Sequence, residues 1–183
     1  MQTLIRISII GTPGAGKTTL ASMLSDMLNL MYIPVSELMR IHSVSHPLSV
    51  HQLVMDTIGD SESYILDGYP LMLDQAKKDL PELDAVIYLT AEPWQCAERL
   101  KTRGEDMDSI LERIEFFTEN AQELKGHYSK KGILKHIHSD VSRAEVFGKT
   151  IVQLSKLELA EVERRIHEYF KRTRGCPQDS QGH

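Results

Sequence analysis

The sequence predicts an α/β domain in which helices cover both faces of a five-stranded parallel sheet. Short β-branched runs alternate with longer segments of helical periodicity, an order typical of parallel sheets. The first and fourth runs, residues 4–10 and 85–89, are almost entirely apolar, as strands buried on both faces should be. With 183 residues, the chain is long enough to bury one substantial core.

The remaining elements follow from the same periodicities. Proline at position 93 suits the first turn of a helix, because the missing N–H would have no partner there. Residues 172–183 are polar and contain Gly and Pro, which predicts a disordered tail. We expect strands at residues 4–10, 31–33, 64–66, 85–89 and 133–137, and helices at residues 17–28, 36–41, 49–58, 71–78, 93–103, 110–128 and, as one long helix, 142–171.

The long final helix carries an apolar stripe with two interpretations. In the first, the stripe packs on the sheet of the same domain. In the second, the helix extends past the domain and binds a protein partner. The stripe consists of Leu154, Leu157, Val162, Ile166 and Phe170.

Composition limits the function. Hydrophobic residues make up 41% and charged residues 26%, as in ordinary globular proteins. A net charge of −5 argues against broad binding to nucleic acid or anionic membranes. We see no membrane-spanning run and no signal-peptide pattern. Cys96 and Cys176 lie far apart, which indicates a reducing compartment and predicts a cytoplasmic protein.

Residues 11–18, GTPGAGKT, match the pattern G-x-x-x-x-G-K-[ST]. Glycines allow a tight turn whose N–H groups point at one anion, and the loop runs into a predicted helix N-terminus that favours phosphate. An apolar run before the loop and a helical pattern after it place the motif in a first βα unit. The sequence therefore predicts a P-loop NTPase, a three-layer αβα sandwich that binds ATP and Mg²⁺. The nucleotide contacts expected are Pro13, Gly14, Ala15, Gly16, Lys17, Thr18 and Thr19, with the Thr18 hydroxyl also on Mg²⁺.

Further segments resemble the adenylate kinase and UMP/CMP kinase family of nucleoside monophosphate kinases. The loop has that family's proline before its middle glycine, and VSELMR at 35–40 is similar to its segment ending in a phosphate-binding arginine. LDGYP at 66–70, followed by QA at 75–76, resembles its Asp-Gly-Phe/Tyr-Pro-Arg…Gln-Ala segment. The resemblance covers most of residues 4–152 in order, and includes ERLKTRG at 98–104, Arg113, HYSKKGIL at 127–134 and EVF at 145–147.

The resemblance implies ATP as donor, a nucleoside monophosphate as acceptor, and a role for each matching residue. Lys17, Arg103 and Arg113 would stabilise the transferred phosphoryl group. Arg40 would hold the acceptor's α-phosphate. The acceptor and metal contacts would be completed by Gln75, on the acceptor base, and Asp67, on Mg²⁺ through water.

Each of these roles has a structural alternative. Asp67 and the glycine after it could form only a tight turn. Arg103 could cap its own helix. Arg113 and Gln75 could lie on solvated helix faces.

The chain also departs from the family pattern. Leu71 stands where the family has a second acceptor-binding arginine, and losing one such donor costs about 10²–10³ in rate if nothing replaces it. Val35 replaces a threonine-like residue near the acceptor base. The acceptor arm, residues 41–62, and the lid, residues 104–109, are short. A short lid predicts slow turnover, hydrolysis, a larger acceptor or a lid supplied by a partner.

Eight histidines do not form a convincing metal site. His42, His46 and His51 have Pro47 among them and would not share a helix face. His136 and His138 alternate on a predicted strand and point the same way, with no cysteine or carboxylate set to complete zinc coordination. We expect the strand pair to be partly exposed, and the first three to lie in the acceptor arm.

Two main functions remain open at this point. The first is a nucleoside monophosphate kinase that works by in-line transfer without a covalent intermediate. The second is a nucleotide-binding subunit of a larger assembly that is degenerate as an enzyme. A kinase for a non-nucleotide small molecule or a protein hydroxyl, or an ATPase, is a third interpretation.

Overall fold

The computed structural model describes residues 4–78, 80–157 and 159–174. Its five strands are all parallel and lie in the order β2-β3-β1-β4-β5, which confirms the predicted sheet. All five lie within two residues of the predicted bounds at both ends. The strands are β1 Arg6–Gly11, β2 Met31–Pro34, β3 Tyr64–Asp67, β4 Ala85–Thr90 and β5 Leu134–His138.

Helices connect the strands. The helix after the glycine-rich loop has the predicted bounds, and the others differ at one end or both. Within the described residues the helices are α1 Lys17–Leu28, α2 Val35–Ile41, α3 Pro47–Ile58, α4 Leu73–Ala76, α5 Pro93–Lys101, α6 Met107–Lys130, α7 Arg143–Ser155 and α8 Ala160–Arg174.

Alternate side chains of the central strands pack in two separate hydrophobic cores, one on each face of the sheet. On β4, Ile87 points into a cluster with α1, α7 and α8, whereas Val86 points into a cluster with α3 and α6. On β3, Ile65 and Leu66 divide in the same way, as the pleat of a strand requires. The sheet is therefore buried on both faces, and the three-layer αβα architecture is confirmed.

The prediction of one long final helix is wrong, because the helix is interrupted between α7 and α8. Leu154 and Val162, either side of the break, are both fully buried in the cluster that includes α1. α8 continues to Arg174, three residues beyond the predicted end, and the rest of the predicted tail lies outside the described residues. Four of the five stripe residues thus pack within this domain, on α1 as well as beside the sheet, whereas Phe170 is 38% exposed. A protein partner for α8 stays a prediction.

α8 is anchored to the end of α1 by charged side chains. The Arg165 guanidinium donates to the carbonyl oxygens of Leu28 and, at 3.2 Å, Asn29, which are left without helical partners at the end of α1. The Glu161 carboxylate accepts from Arg165 Nε at 2.6 Å and from Arg164 Nη2 at 2.6 Å. These two guanidinium groups lower the pKa of Glu161 to about 2.

Two boundaries near the predicted site also need correction. α4 is a single turn, two residues shorter at each end than the helix predicted over 71–78, and the Gln75 side chain accepts from the N–H of Leu71 just before it at 2.8 Å. α6 begins inside the predicted lid, because Asp106 caps it and accepts from the N–H of Ser109 at 2.9 Å. Only residues 102–106 connect α5 to α6.

A bilayer crossing finds no support in the described part of the chain, whose helices are all too short or too polar to span one.

Candidate active site

The loop between β1 and α1 is pressed against its neighbours, and this explains its glycines. Gly11 lies beside β4, where an added Cβ would be 1.9 Å from the carbonyl oxygen of Leu89. Gly14 has φ +84°, and a Cβ there would lie 2.5 Å from the carbonyl oxygen of Cys96 on α5. Only glycine fits these positions, so the loop can keep its backbone N–H groups turned toward an anion.

Lys17 is folded back on the loop. Its Nζ donates to the carbonyl oxygens of Gly11 at 2.8 Å and Thr12 at 3.1 Å. Burial lowers the pKa of Lys17 to about 8, the Asp67 carboxylate opposes that shift, and the positive charges of Arg113 and Arg103 add to it. The structure therefore brings the three predicted cations and Asp67 into one electrostatic neighbourhood.

A cavity of about 320 Å³ opens on the α5 and α7 side of the loop. Gly14, Ala15, Gly16 and Thr19 form its floor, beside the predicted Arg103. The remaining wall includes two arginines that the sequence reasoning did not single out, Arg99 and Arg143, together with Thr102, Ser139 and Val141.

A second, larger cavity of about 690 Å³ opens on the opposite side, toward α2 and α6. Gly11, Pro13 and Lys17 contribute to it from the loop. The other lining residues are largely apolar, with few charges: Ile10, Ser36, Met39, Ser45, Gly68, Pro70, Leu71, Glu112, Arg113, Phe116 and Phe117. The two cavities thus meet at the loop, and each contains one of the two predicted catalytic arginines.

Arg113 already has a carboxylate partner. Its Nη1 donates to an oxygen of Glu105, which lies in the short lid connection. The Arg113 side chain is about half exposed, so a phosphate entering the larger cavity would compete with Glu105 for the guanidinium. Arg113 lines the cavity and is also half exposed to solvent, so its catalytic role stays a prediction.

Two predicted acceptor residues are not brought into this cavity. The Arg40 side chain is 76% exposed and lies 4.0 Å from Glu37, while its neighbour Met39 reaches the cavity wall. Gln75 is 2% exposed, so the alternative of an exposed helix residue is wrong. Both ends of its amide are engaged, with the N–H of Leu71 and, at 3.4 Å, the carbonyl oxygen of Pro47.

Asp67 lies at the end of β3 with 6% exposure, next to the loop. The hydroxyl of Tyr32, on β2, donates to Asp67 Oδ2 at 3.0 Å. Burial raises the pKa of Tyr32, and the negative charge of Asp67 raises it further. Carboxylate and hydroxyl oxygens are the ligands that Mg²⁺ prefers, so the chemistry of Thr18 and Asp67 fits this ion.

No histidine that the structure describes lines either of the two loop cavities. His136 and His138 are exposed on β5, as predicted, with ring centroids 4.4 Å apart. Both approach the Thr90 hydroxyl, at 2.9 and 3.2 Å. Among the described residues, no group of three or more His, Cys, Asp or Glu side chains could hold a metal ion. On the acceptor arm, His51 Nδ1 lies 2.7 Å from the Tyr69 hydroxyl.

Sequence reasoning missed Arg99 and Tyr32. Arg99 precedes Arg103 by four residues, which in the helix predicted over 93–103 puts both on one face, so the spacing could have revealed it. Tyr32 gives no such signal, since a tyrosine in a short strand usually indicates packing. Its proximity to Asp67 depends on β2 pairing with β3, and no local pattern encodes that pairing.

The fold and the loop together define a P-loop nucleotide-binding protein with two cavities that border the loop. Comparison with known proteins agrees. The family model described as "AAA domain" matches residues 7–124.

Named relatives narrow the class. An adenylate kinase of Mycobacterium leprae (strain Br4923) is 30% identical over 183 residues, which cover 83% of this chain and 100% of that protein. One of Bartonella bacilliformis is 30% identical over 187 residues, covering 76% and 97%. A Thermococcus onnurineus (strain NA1) protein, provisionally named adenylate kinase, is 34% identical over 110 residues, 60% of this chain and 61% of that protein. The chain therefore belongs to the P-loop AAA-domain family and to the adenylate kinase-like nucleoside monophosphate kinases.

Proposed function

We propose that this protein transfers the γ-phosphoryl group of ATP to a nucleoside monophosphate, giving ADP and a nucleoside diphosphate. One observation carries the proposal: two cavities meet at the phosphate loop, with Arg103 in the wall of one and Arg113 in the wall of the other. ATP occupies the smaller cavity and the acceptor the larger. This arrangement holds two polyanions end to end, which a simple nucleotide-binding module does not need.

The chain's own residues supply the positive charge that the reaction needs. The loop N–H groups and Lys17 bind the donor phosphates, and Lys17 exchanges its loop carbonyl partners for phosphate oxygens. Arg103 and Arg113 approach the transferred group from the two sides and stabilise the charge on its oxygens. Thr18 and Asp67 would hold Mg²⁺, which neutralises phosphate charge when it is bound.

The acceptor side is poorer in cations than the donor side. Leu71 contributes an apolar side chain to the larger cavity where the family pattern has an arginine. Arg40 reaches the acceptor only if its exposed side chain turns inward. Relatives named adenylate kinase make adenosine monophosphate the first acceptor to test, and the size of the cavity admits larger ones.

The test is an ADP-release assay with Mg-ATP across AMP, CMP, UMP, GMP and their deoxy forms, with a no-acceptor control for hydrolysis. We expect one acceptor to raise ADP release well above the control, with a diphosphate product in equal amount. Lys17→Ala should abolish transfer and leave the thermal unfolding midpoint unchanged. Near-wild-type transfer by that variant would refute the proposal.

The same assay decides between the kinase and its alternatives. ATP binding with no transfer to any monophosphate would favour a nucleotide-binding subunit, and ADP release without any acceptor would favour an ATPase. We infer a cytoplasmic location from the absence of a cysteine framework in the sequence, with Cys96 buried under the loop. The net charge of −5 supports a small-molecule acceptor over nucleic acid.

A further inference from the structure

Tyr32 is the hydrogen-bond partner of the carboxylate whose chemistry suits Mg²⁺. Its hydroxyl donates to Asp67 Oδ2 at 3.0 Å. A carboxylate has two oxygens, and this bond engages one of them. Tyr32 therefore ties β2 to the carboxylate at the end of β3.

The sheet fixes this arrangement. Tyr32 pairs with Ile65 on the neighbouring strand, and Pro34 pairs with Asp67. The Tyr32 hydroxyl therefore reaches two residues along the sheet, toward the edge where parallel strands end and the loop begins. Because Asp67 is only 6% exposed, little water is available to replace the tyrosine hydroxyl at Oδ2.

We propose that Tyr32 is a positioning residue for the magnesium site, which fixes the Asp67 carboxylate through one oxygen and leaves the other for the ion or its water. The inference depends on the proposed function for the identity of the ion. Hydrogen-bond partners of a ligating carboxylate typically change metal affinity by about 10–100-fold when they are removed.

The alternative partner of Asp67 explains why the tyrosine matters. Asp67 acts electrostatically on Lys17, whose ammonium group must be free to bind phosphate. Without a donor at Oδ2, the carboxylate can rotate toward that ammonium group and compete with the nucleotide for it. Tyr32 thus keeps the Asp67 carboxylate available for the metal ion and the Lys17 ammonium group available for phosphate.

The test measures metal binding directly. Mn²⁺ replaces Mg²⁺ as a paramagnetic probe, and electron paramagnetic resonance titrations follow its binding to the protein saturated with a non-hydrolysable ATP analogue. The variant is Tyr32→Phe, which keeps the ring and removes the hydroxyl. The matched control is Tyr64→Phe on β3, which removes a buried hydroxyl that has no hydrogen-bond partner among the described residues.

We expect Mn²⁺ affinity to fall about tenfold or more in Tyr32→Phe and to stay within about twofold in Tyr64→Phe. Affinity for the analogue without metal should change by less than about threefold in both. Phosphoryl transfer by Tyr32→Phe should be restored by excess Mg²⁺, so the half-saturating Mg²⁺ concentration rises while the rate at saturation stays near wild type.

Two results would overturn the inference. In the first, Mn²⁺ affinity is unchanged in Tyr32→Phe while Asp67→Asn lowers it. In the second, nucleotide affinity falls equally with and without metal, which means that the hydroxyl only supports the loop. The metal titration does not require turnover, so a wild-type protein without kinase activity would refute the proposed function and leave this test intact.

Discussion

Lys17 gives the sharpest test of how the loop works, because its charge depends on pH in the free protein. Burial lowers its pKa to about 8, from an ordinary value of 10.5. Bound phosphates place negative charge beside the ammonium group and raise its pKa again. We therefore expect nucleotide binding above pH 7 to take up protons.

The size of the effect follows from the pKa. At pH 8 about half of the free protein carries an uncharged Lys17, so binding should take up about half a proton per nucleotide. At pH 9 only about a tenth carries the charge, and affinity should be about tenfold weaker than at pH 7. Below pH 7 the lysine is already protonated, and both effects should vanish.

Isothermal titration calorimetry with ATP, at each pH in two buffers of different ionisation enthalpy, measures the proton uptake. Lys17→Arg is the matched control, since a guanidinium stays charged throughout this range. The control should show no proton uptake and a flat affinity between pH 7 and pH 9. Zero uptake by the wild type at pH 8.5 would refute the claim that this lysine is desolvated in the free protein.

Four further predictions concern single side chains. Gly14→Ala should weaken ATP binding at least about tenfold in calorimetry, because a Cβ at φ +84° would meet a backbone oxygen at 2.5 Å; unchanged affinity would contradict the loop geometry. Glu105→Gln should tighten binding of the accepted monophosphate by about two- to fivefold, since it frees Arg113 in the larger cavity from an exposed ion pair, and weaker binding would show that the pair instead supports the site. Leu71→Arg should raise kcat/KM for the accepted monophosphate by about tenfold or more with little change in ATP affinity; steady-state kinetics that show a loss would mean that the acceptor needs the apolar wall. Glu161→Gln should lower the free energy of unfolding at pH 7 by about 1 kcal/mol in urea titrations. The wild type should lose the same contribution as pH falls from 4.5 toward 2, because the pKa of Glu161 is ordinarily 4.5 and in the folded protein about 2. Equal stability of the variant and the wild type at pH 7 would contradict this prediction.

The sequence predicted those parts of the fold in which local signals agree with tertiary packing. α1 has its predicted bounds because glycine precedes it and Asn29, in the left-handed conformation, ends it. The final helix was predicted too long because nothing local distinguishes the turn at residues 156 and 157 from a continuing helix. Only the burial of Leu154 and Val162 together with α1 requires the chain to bend there.

The candidate site divides in the same way. The loop residues are specified by a contiguous motif, and the structure gathers them as expected around Lys17. The acceptor residues come from separate segments, and their side-chain directions depend on tertiary contacts. The Gln75 side chain is engaged in a hydrogen bond with the N–H of Leu71, and the Arg40 side chain is exposed to solvent. Tyr32 could not be found without the register of β2 on β3.

Because β1 lies at the middle of the sheet, the loop that follows it has different stretches of chain on its two sides. Each stretch lines the cavity for one of the two substrates. Beyond the loop and the elements that flank it, the residues that line the larger cavity come from segments 36–71 and 112–117, and those that line the smaller one come from segments 99–103 and 139–146. Selection can therefore change the acceptor without altering the donor. A chimaera that receives residues 36–71 from another kinase of this family should inherit a new acceptor preference and keep its own affinity for ATP.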